Sequence, residues 1–218
     1  MARNKYPEVT VEKILDVAQR LFLTKGYDNT TIQDIVDELG GLTKGAIYHH
    51  FKSKEDIMDA LGDKIFWESN PFTELAARKD LNGLQKLQEI MKFSLVDPER
   101  AELNRQSIPI LKNPRILAQM IETDRTIISP LITKLIEEGN QDGSIHTKYA
   151  KEAADVVQLL SGLWLAPSIY PGTGEELQKR LDFIKDIMDG IGIPIFDEGI
   201  MAYCRDFLKK IAPDNSVV

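Results

Sequence analysis

Residues 30–51 read TTIQDIVDELGGLTKGAIYHHF, from Thr30 to Phe51. Two short stretches with apolar residues four apart, Ile35 and Leu39 in the first and Ile47 and Phe51 in the second, flank the pair Gly40-Gly41. That spacing predicts two helices. Thr31 and Thr43 stand where each begins, and a threonine hydroxyl there accepts a hydrogen bond from an otherwise orphaned backbone N–H. Glycine tolerates positive φ, so the double glycine marks a tight turn. A bracing helix, a turn and a second helix with its N-terminal residues outward is the layout of a helix-turn-helix.

The second helix ends in Tyr48-His49-His50. Adjacent histidines on a helix point about 100° apart. No cysteine or third histidine stands nearby, so the spacing of a metal site is absent. Nucleophilic catalysis needs a nucleophile and an orienting acid at hand, and the stretch offers neither. The order Gly40-Gly41-Leu42-Thr43-Lys44-Gly45 also lacks the Gly-Lys-Ser/Thr of a phosphate loop.

A surface laid against nucleic acid accounts for the same residues. Lys44 reaches a guanine edge or a phosphate. The Tyr48 hydroxyl bonds phosphate or base, and its ring meets a thymine methyl. Gly45 and Ala46 are small enough for close approach to a groove. His49 and His50 sit where the helix meets phosphates, with a structural role for His50 as the other reading. Thr30 and Thr31 offer hydroxyls and backbone N–H groups at a helix start, where phosphate binds. Lys54 adds a charge one turn further on.

Outward from this stretch the chain reads as helical. Thr10 is expected to cap a first helix with Ile14, Ala18, Leu21 and Phe22 on one face, ended by Gly26. Ser53 is expected to cap a fourth, with Ile57, Leu61, Ile65 and Phe66 inward, stopped at Asn70-Pro71. Further helices are expected near 81–96, from Asn113-Pro114 to Gly139 with Pro130 as a kink or break, and near 148–166, 174–190 and 197–211. A turn is expected at Asn140–Gly143. No long alternating run predicts a strand, so the expected fold class is all-α.

Of 218 residues, 28% are charged and 43% hydrophobic, the balance of a soluble globular chain. The single cysteine, Cys204, excludes an intramolecular disulfide and fits a reducing compartment. The N-terminus has no apolar signal stretch, which makes a cytoplasmic location the expectation. The uncharged run Val156–Gly174 holds Pro167 and Pro171, and its apolar part is too short to span a membrane. Net charge is −7, but residues 1–54 hold eight Lys/Arg against seven Asp/Glu. The first quarter is thus weakly basic and the rest acidic, which suggests two parts with different partners.

The pattern Ile14-Leu15, Ala18, Leu21-Phe22, Gly26-Tyr27, Thr30-Thr31, Ile35, Gly40 and then Lys44 through Ile57 resembles the DNA-binding domain of the TetR/AcrR family of bacterial transcriptional regulators. The resemblance implies a three-helix DNA-binding domain over residues 1–54. A helical-bundle domain for effector binding and dimerisation would then follow over 55–218. It also implies that Thr31, Gln33, Thr43, Lys44, Gly45, Tyr48, His50 and Lys54 fall where family members touch DNA. One departure is the extra residue in Gly40-Gly41-Leu42-Thr43, which is either absorbed in the turn or shifts the recognition helix.

The expected function is therefore a ligand-responsive regulator, a repressor. It would bind a pseudo-palindromic operator as a homodimer and be released by a small, largely apolar effector. It would be no enzyme and would use no cofactor, metal or membrane. An interaction protein that keeps the fold without binding DNA is the alternative, for which Gly41 and the weak basicity leave room. Candidate effector contacts are Met91, Phe93, Arg105, Gln106, Gln119, Met120, Trp164 and Tyr170, a mixture of apolar bulk and few polar anchors. Asp124 is a further candidate anchor, with solvated surface as the competing role.

For the dimer, Leu177, Leu181, Ile184 and Met188 form a stripe. Ala153, Val157, Leu160 and Trp164 form another on the preceding helix, which predicts a four-helix interface from residues 148–166 and 174–190 of each chain. The helix near 197–211, with Ile200, Tyr203, Cys204, Phe207 and Ile211, is the competing face.

Overall fold

The computed structural model describes residues 7–68, 71–96, 98, 101, 104–105 and 108–212. The expectations for Gln106 and for the side chains of Ile65 and Phe66 lie outside the described residues. Among the described residues every regular element is helical. The chain divides into two compact units, Met1–Asn70 and Pro71–Val218.

The first unit holds α1 (Pro7–Thr24), α2 (Ile32–Leu39), α3 (Lys44–His50) and α4 (Lys54–Glu68). α1 opens at Pro7 rather than at Thr10, because a proline in the first turn lacks only an N–H that would go unused there. Ile14, Ala18, Ile35, Ile47 and Ile57 are fully buried, and Phe22, Phe51 and Leu61 are buried with them. Burying each such isoleucine is worth about 1.5–3 kcal/mol. Their three- and four-residue spacings turn all four helices to one core. The fourth helix thereby packs against the first by Ile57 and Leu61, so packing counts it with this unit.

The second unit holds α5 (Pro71–Ala77), α6 (Gly83–Val96), a tight turn at Ile108–Lys112, α7 (Pro114–Thr123), α8 (Ser129–Asp142), α9 (Ala150–Leu159), α10 (Gly174–Gly190) and α11 (Glu198–Ile211). α5 was not expected: Pro71 starts a helix as well as closing the one before it. Asn113 caps α7 as expected, its Oδ1 accepting from the Arg115 N–H at 3.0 Å. α6 crosses α8 at Gly83, where a Cβ would stand 2.2 Å from the Gly139 backbone nitrogen, so no side chain fits. Buried Lys86 on α6 pairs with Glu138 on α8 and donates to the Ala76 carbonyl at 3.4 Å, which ties α5 to both.

Pro130 does not break the chain between α7 and α8. The helix widens to i→i+5 bonding over Asp124–Ile128, and the Ser129 N–H donates to the Asp124 carbonyl. Proline has no N–H and crowds the carbonyl four residues back, and a wider turn relieves both. The helix then runs on to Asp142, into the expected turn, and Gly143 at φ 82° ends it. A second widened turn, Leu160–Trp164, extends α9.

The dimer stripes require a correction. Leu177 and Ile184 are 0% exposed and Leu181 and Met188 1% exposed, all inside the chain's own core with Ala153 and Val157. Leu160 and Trp164 pack against that core. A helical stripe reports that a face is covered, not what covers it, and here the chain's own helices do so: α8 and α10 against α9, and α9 and α11 against α10. The apolar side chains left outside on α9 and α10 are Val156, Leu159 and Phe183. On the competing α11, Ile200 and Cys204 are buried in the core as well, and Tyr203 is exposed.

Candidate functional site

Local sequence shapes the first candidate surface. Thr31 caps α2: its hydroxyl accepts from the Asp34 N–H at 3.1 Å, and its own N–H donates to Asp34 Oδ2 at 2.7 Å. The Lys25 ammonium 2.7 Å away, and then Thr31, hold the Asp34 carboxyl well below the usual carboxylate range. Arg20 pairs with Glu38 at 2.7 Å. Two of the three acids of α2 are therefore neutralised, Glu38 from α1 and Asp34 from the residue that follows it, which lessens their repulsion of a polyanion. Thr43 caps α3, accepting from the Ala46 N–H at 3.2 Å.

Gly40 and Gly41 both take positive φ, 53° and 142°, and neither would meet a neighbour with a Cβ. The extra glycine thus lies within the turn. α3 itself, KGAIYHH, contains no acid. Its Ile47 is wholly buried, which fixes the helix against α2, and Lys44, Gly45, Tyr48 and His49 point outward. Thr31, Gln33 and Thr43 are also exposed, with the Gln33 amide donating to Asp37 Oδ1 at 2.8 Å. Ala46 and His50 are half-buried, and the His49 and His50 rings stack at 5.3 Å. A lysine, a half-exposed tyrosine and small residues on an acid-free helix form a surface that fits a DNA groove.

Two expected members have other work. Thr30 is 1% exposed, and its hydroxyl donates to the Gly26 carbonyl at 2.8 Å, so it braces the α1–α2 loop rather than offering a hydroxyl. The Lys54 ammonium donates to the carbonyls of Tyr27 at 2.7 Å and Thr30 at 2.9 Å, and stands 4.2 Å from the centre of the Tyr27 ring. Sequence spacing places Lys54 near the surface, but the loop carbonyls folded back beside it are closer partners than a phosphate. Lys54→Met should therefore lower the stability of the first unit by about 1–3 kcal/mol, the worth of hydrogen bonds to a charged group. It should leave the salt dependence of DNA binding unchanged. Urea unfolding, and binding titrations over a range of salt, check both; a salt slope reduced by about one would return Lys54 to the phosphates.

The second unit contains a cavity of about 460 Å³, within the size of small-molecule sites. Met91, Leu95, Met120, Leu165 and Phe207 contribute to its apolar wall. Of the expected effector contacts, Met91 and Met120 line it. Phe93 is exposed on α6, Arg105 is exposed, and Gln119 is half-buried off the wall. Trp164 and Tyr170 belong to a segment held by Arg180, which donates to their carbonyls at 3.0 and 2.7 Å.

Two polar residues that no helical pattern singled out, or that were open to a surface role, face the cavity instead: Gln158 and Asp124. The Gln158 amide donates to Asp124 Oδ1 at 3.3 Å. Burial pushes the Asp124 carboxyl up to about 6, against which the bond from Gln158 acts. Both helix-widening turns adjoin this cavity, Asp124 opening one and Ser161 and Gly162 lying in the other. Asp124 thus takes the anchoring position named for it from sequence, whereas Gln158 carried no signal that set it apart from a surface residue of its helix.

A carboxyl raised from 3.8 to about 6 remains protonated in the fold while the unfolded chain has ionised. Stability therefore falls as pH rises from about 4 to 6, and is level above that. Neighbouring charges do not alter the sign. Arg125 beside it pairs with Glu122 at the surface, Asp155 is half-buried one turn from Gln158, and Cys204 across the cavity is a neutral thiol pushed up to about 11. Asp124→Asn should remove this pH dependence and raise stability at pH 7.5 by roughly 1–2 kcal/mol, at about 1.4 kcal/mol per pKa unit and discounted for partial solvation. Thermal unfolding from pH 4 to 8 reads the difference, and parallel curves for the two proteins would refute it.

Among the described residues no helix is long and apolar enough to cross a membrane. Residues 14–61 match the profile of the bacterial regulatory proteins of the tetR family. The chain is 26% identical over 198 residues to the HTH-type transcriptional repressor KstR2 of Rhodococcus jostii (strain RHA1), covering 84% of this chain and 91% of that protein. It is 30% identical over 128 residues to the HTH-type transcriptional repressor AcnR of Corynebacterium diphtheriae, covering 57% of this chain and 62% of that one. In three dimensions it is similar to the protein of a SmeT–triclosan complex, with a TM-score of 0.58 and 20% identity over 97% of this chain and 95% of that one.

Proposed function

We propose that the chain is a member of the tetR family of bacterial regulatory proteins, whose profile residues 14–61 match, and from that premise its working follows. It is a DNA-binding transcriptional regulator that represses from a pseudo-palindromic operator as a homodimer. A small, largely apolar molecule in the second unit releases it. The observation that carries the DNA reading is α3, an acid-free helix braced by buried Ile47, with Lys44, Tyr48 and His49 outside. Thr31, Gln33, Thr43, Gly45, Ala46 and His50 complete the proposed contact surface.

One helix-turn-helix per chain buries too little surface for high specificity, which favours two copies on two half-sites about one helical turn or more apart. The exposed apolar side chains Val156, Leu159 and Phe183 on α9 and α10 supply the face proposed for pairing.

The cavity supports the effector reading, and so does the complex of the similar SmeT protein with triclosan. An effector releases DNA only by as much as it prefers the geometry that does not bind. A hundredfold loss of affinity requires about 2.7 kcal/mol of that preference. The test is selection of duplexes from a random pool with purified protein, followed by titration of the selected operator with apolar metabolites and drugs. A pool with no enriched sequence defeats the DNA reading. Compounds that stabilise the protein yet leave operator affinity untouched defeat the release mechanism.

A further inference from the structure

We infer that the molecule this cavity takes is an apolar compound ending in one positively charged nitrogen, held by the Asp124 carboxylate with the Gln158 amide beside it. The inference rests on reading the cavity as the effector site and adds the chemistry of the occupant.

The wall of the cavity is mostly apolar, so its few polar atoms decide which head group is accepted. Among the described residues that line it, Asp124 is the one Asp, Glu, Lys or Arg. Each of the other oxygen- or nitrogen-bearing side chains on the described wall already gives a donor to a protein acceptor, the amides of Asn104 and Gln158 each carrying a second N–H besides. Ser94 Oγ donates to the Ile90 carbonyl at 3.3 Å, and Asn104 Nδ2 to the Ser94 carbonyl at 3.0 Å. Ser161 Oγ donates to the Val157 carbonyl, and Gln158 Nε2 to Asp124 Oδ1. What this leaves for an occupant is mainly acceptors: Asp124 Oδ2 first, with the hydroxyl and amide oxygens around it.

Space is left at the same point. A Cβ built on Gly162 would lie 4.0 Å from Asp124 Oδ2 and 3.9 Å from Met120 Cε, so the wall opposite the carboxylate is bare backbone. The two widened helix turns bring Asp124 and Gly162 to this wall. An acceptor-rich, anionic spot in an apolar chamber selects a hydrogen-bond donor. It favours a cation over a neutral donor, because a charge-assisted bond is about twice as strong. A carboxylate or phosphate head would meet Asp124 with like charge and find no cation on the described wall. The raised ionisation range of Asp124 fits the same picture: the carboxylate lacks a positive partner, and an ammonium would supply one.

The experiment uses the whole protein and three probes of one chain length, decylamine, 1-decanol and decanoate, titrated calorimetrically at pH 7.5 below their aggregation limits. Decylamine should bind about tenfold more tightly than decanol, and decanoate more weakly than decanol. Asp124→Asn should abolish the advantage of the amine and leave decanol affinity within about twofold. Gly162→Ala, whose methyl faces Oδ2 without a clash, should weaken the amine more than the alcohol. The order of the three probes on the unmodified protein decides the matter even where a variant folds poorly. Equal binding of all three, or preference for decanoate, overturns the head-group inference and leaves the cavity standing as an effector site. Failure of every probe to bind overturns both.

Discussion

Leu181→Glu should abolish the folded second unit, whereas Phe183→Glu, two residues along the same helix, should leave it folded. Leu181 is 1% exposed and belongs to the core formed with Leu177, Ile184, Ile200 and Leu208. Removing a buried leucine side chain costs about 2–5 kcal/mol. A carboxylate put in its place adds an unpaired buried charge, or the cost of holding it protonated. Together these approach the whole stability of an ordinary domain, about 5–15 kcal/mol. Circular dichroism and urea unfolding should show loss of the cooperative transition at room temperature.

Phe183 is 53% exposed, and its ring meets Trp164 edge-on at 5.8 Å. A glutamate there has water around it in the single chain, so the fold survives. At a two-fold interface each substitution appears twice, and two carboxylates near an apolar contact repel. Sedimentation should then report monomers of Phe183→Glu at concentrations where the parent is dimeric. A folded Leu181→Glu would contradict the core assignment. An intact Phe183→Glu dimer would move the proposed interface away from this face.

The second large effect is expected in DNA binding. Lys44→Ala with Tyr48→Ala should weaken operator binding by about a hundredfold or more, since a base or phosphate contact of this kind is worth about 1–3 kcal/mol. The two halves should differ in kind. A phosphate-bound Lys44 weakens operator and random duplex alike and lowers the salt slope by about one, whereas a base-reading Tyr48 weakens the operator more. Both side chains are exposed and α3 is held by Ile47, so the double variant should melt as the parent does. Fluorescence anisotropy on operator and scrambled duplexes at two salt concentrations separates these contributions. Unchanged operator affinity in the double variant would remove α3 from the proposed interface.

Much of the first unit was legible because its signals are local. Thr31 and Thr43 cap helices where expected, as Asn113 does in the second unit, and a cap is decided within four residues of chain. The pattern of Ile14, Ala18, Ile35, Ile47 and Ile57 marks a buried face without reference to anything distant. Gly40 and Gly41 both adopt the positive φ that the doublet suggests. α5 was not legible: Pro71 is at once a stop and a start, and seven residues show little periodicity.

The helical class, the order of the long helices and the helix-turn-helix are therefore properties the sequence determined by itself, through periodicity, caps and turn residues. What only the tertiary structure decided is which partner each face meets. The stripe Leu177, Leu181, Ile184 and Met188 is equally suited to a second chain and to the chain's own α9 and α11, and folding gave it to the latter. Lys54 has the spacing of a phosphate contact, but the Tyr27 and Thr30 carbonyls, more than twenty residues away in sequence, claim its ammonium. Asp124 has the sequence surroundings of a solvated acid, and it lies beside Gln158 in an apolar cavity because two widened helical turns meet there. The physical reason is the same each time. A side chain's local pattern sets the conformation of its own helix, whereas its burial, pairing and charge depend on groups that only the folded chain brings near.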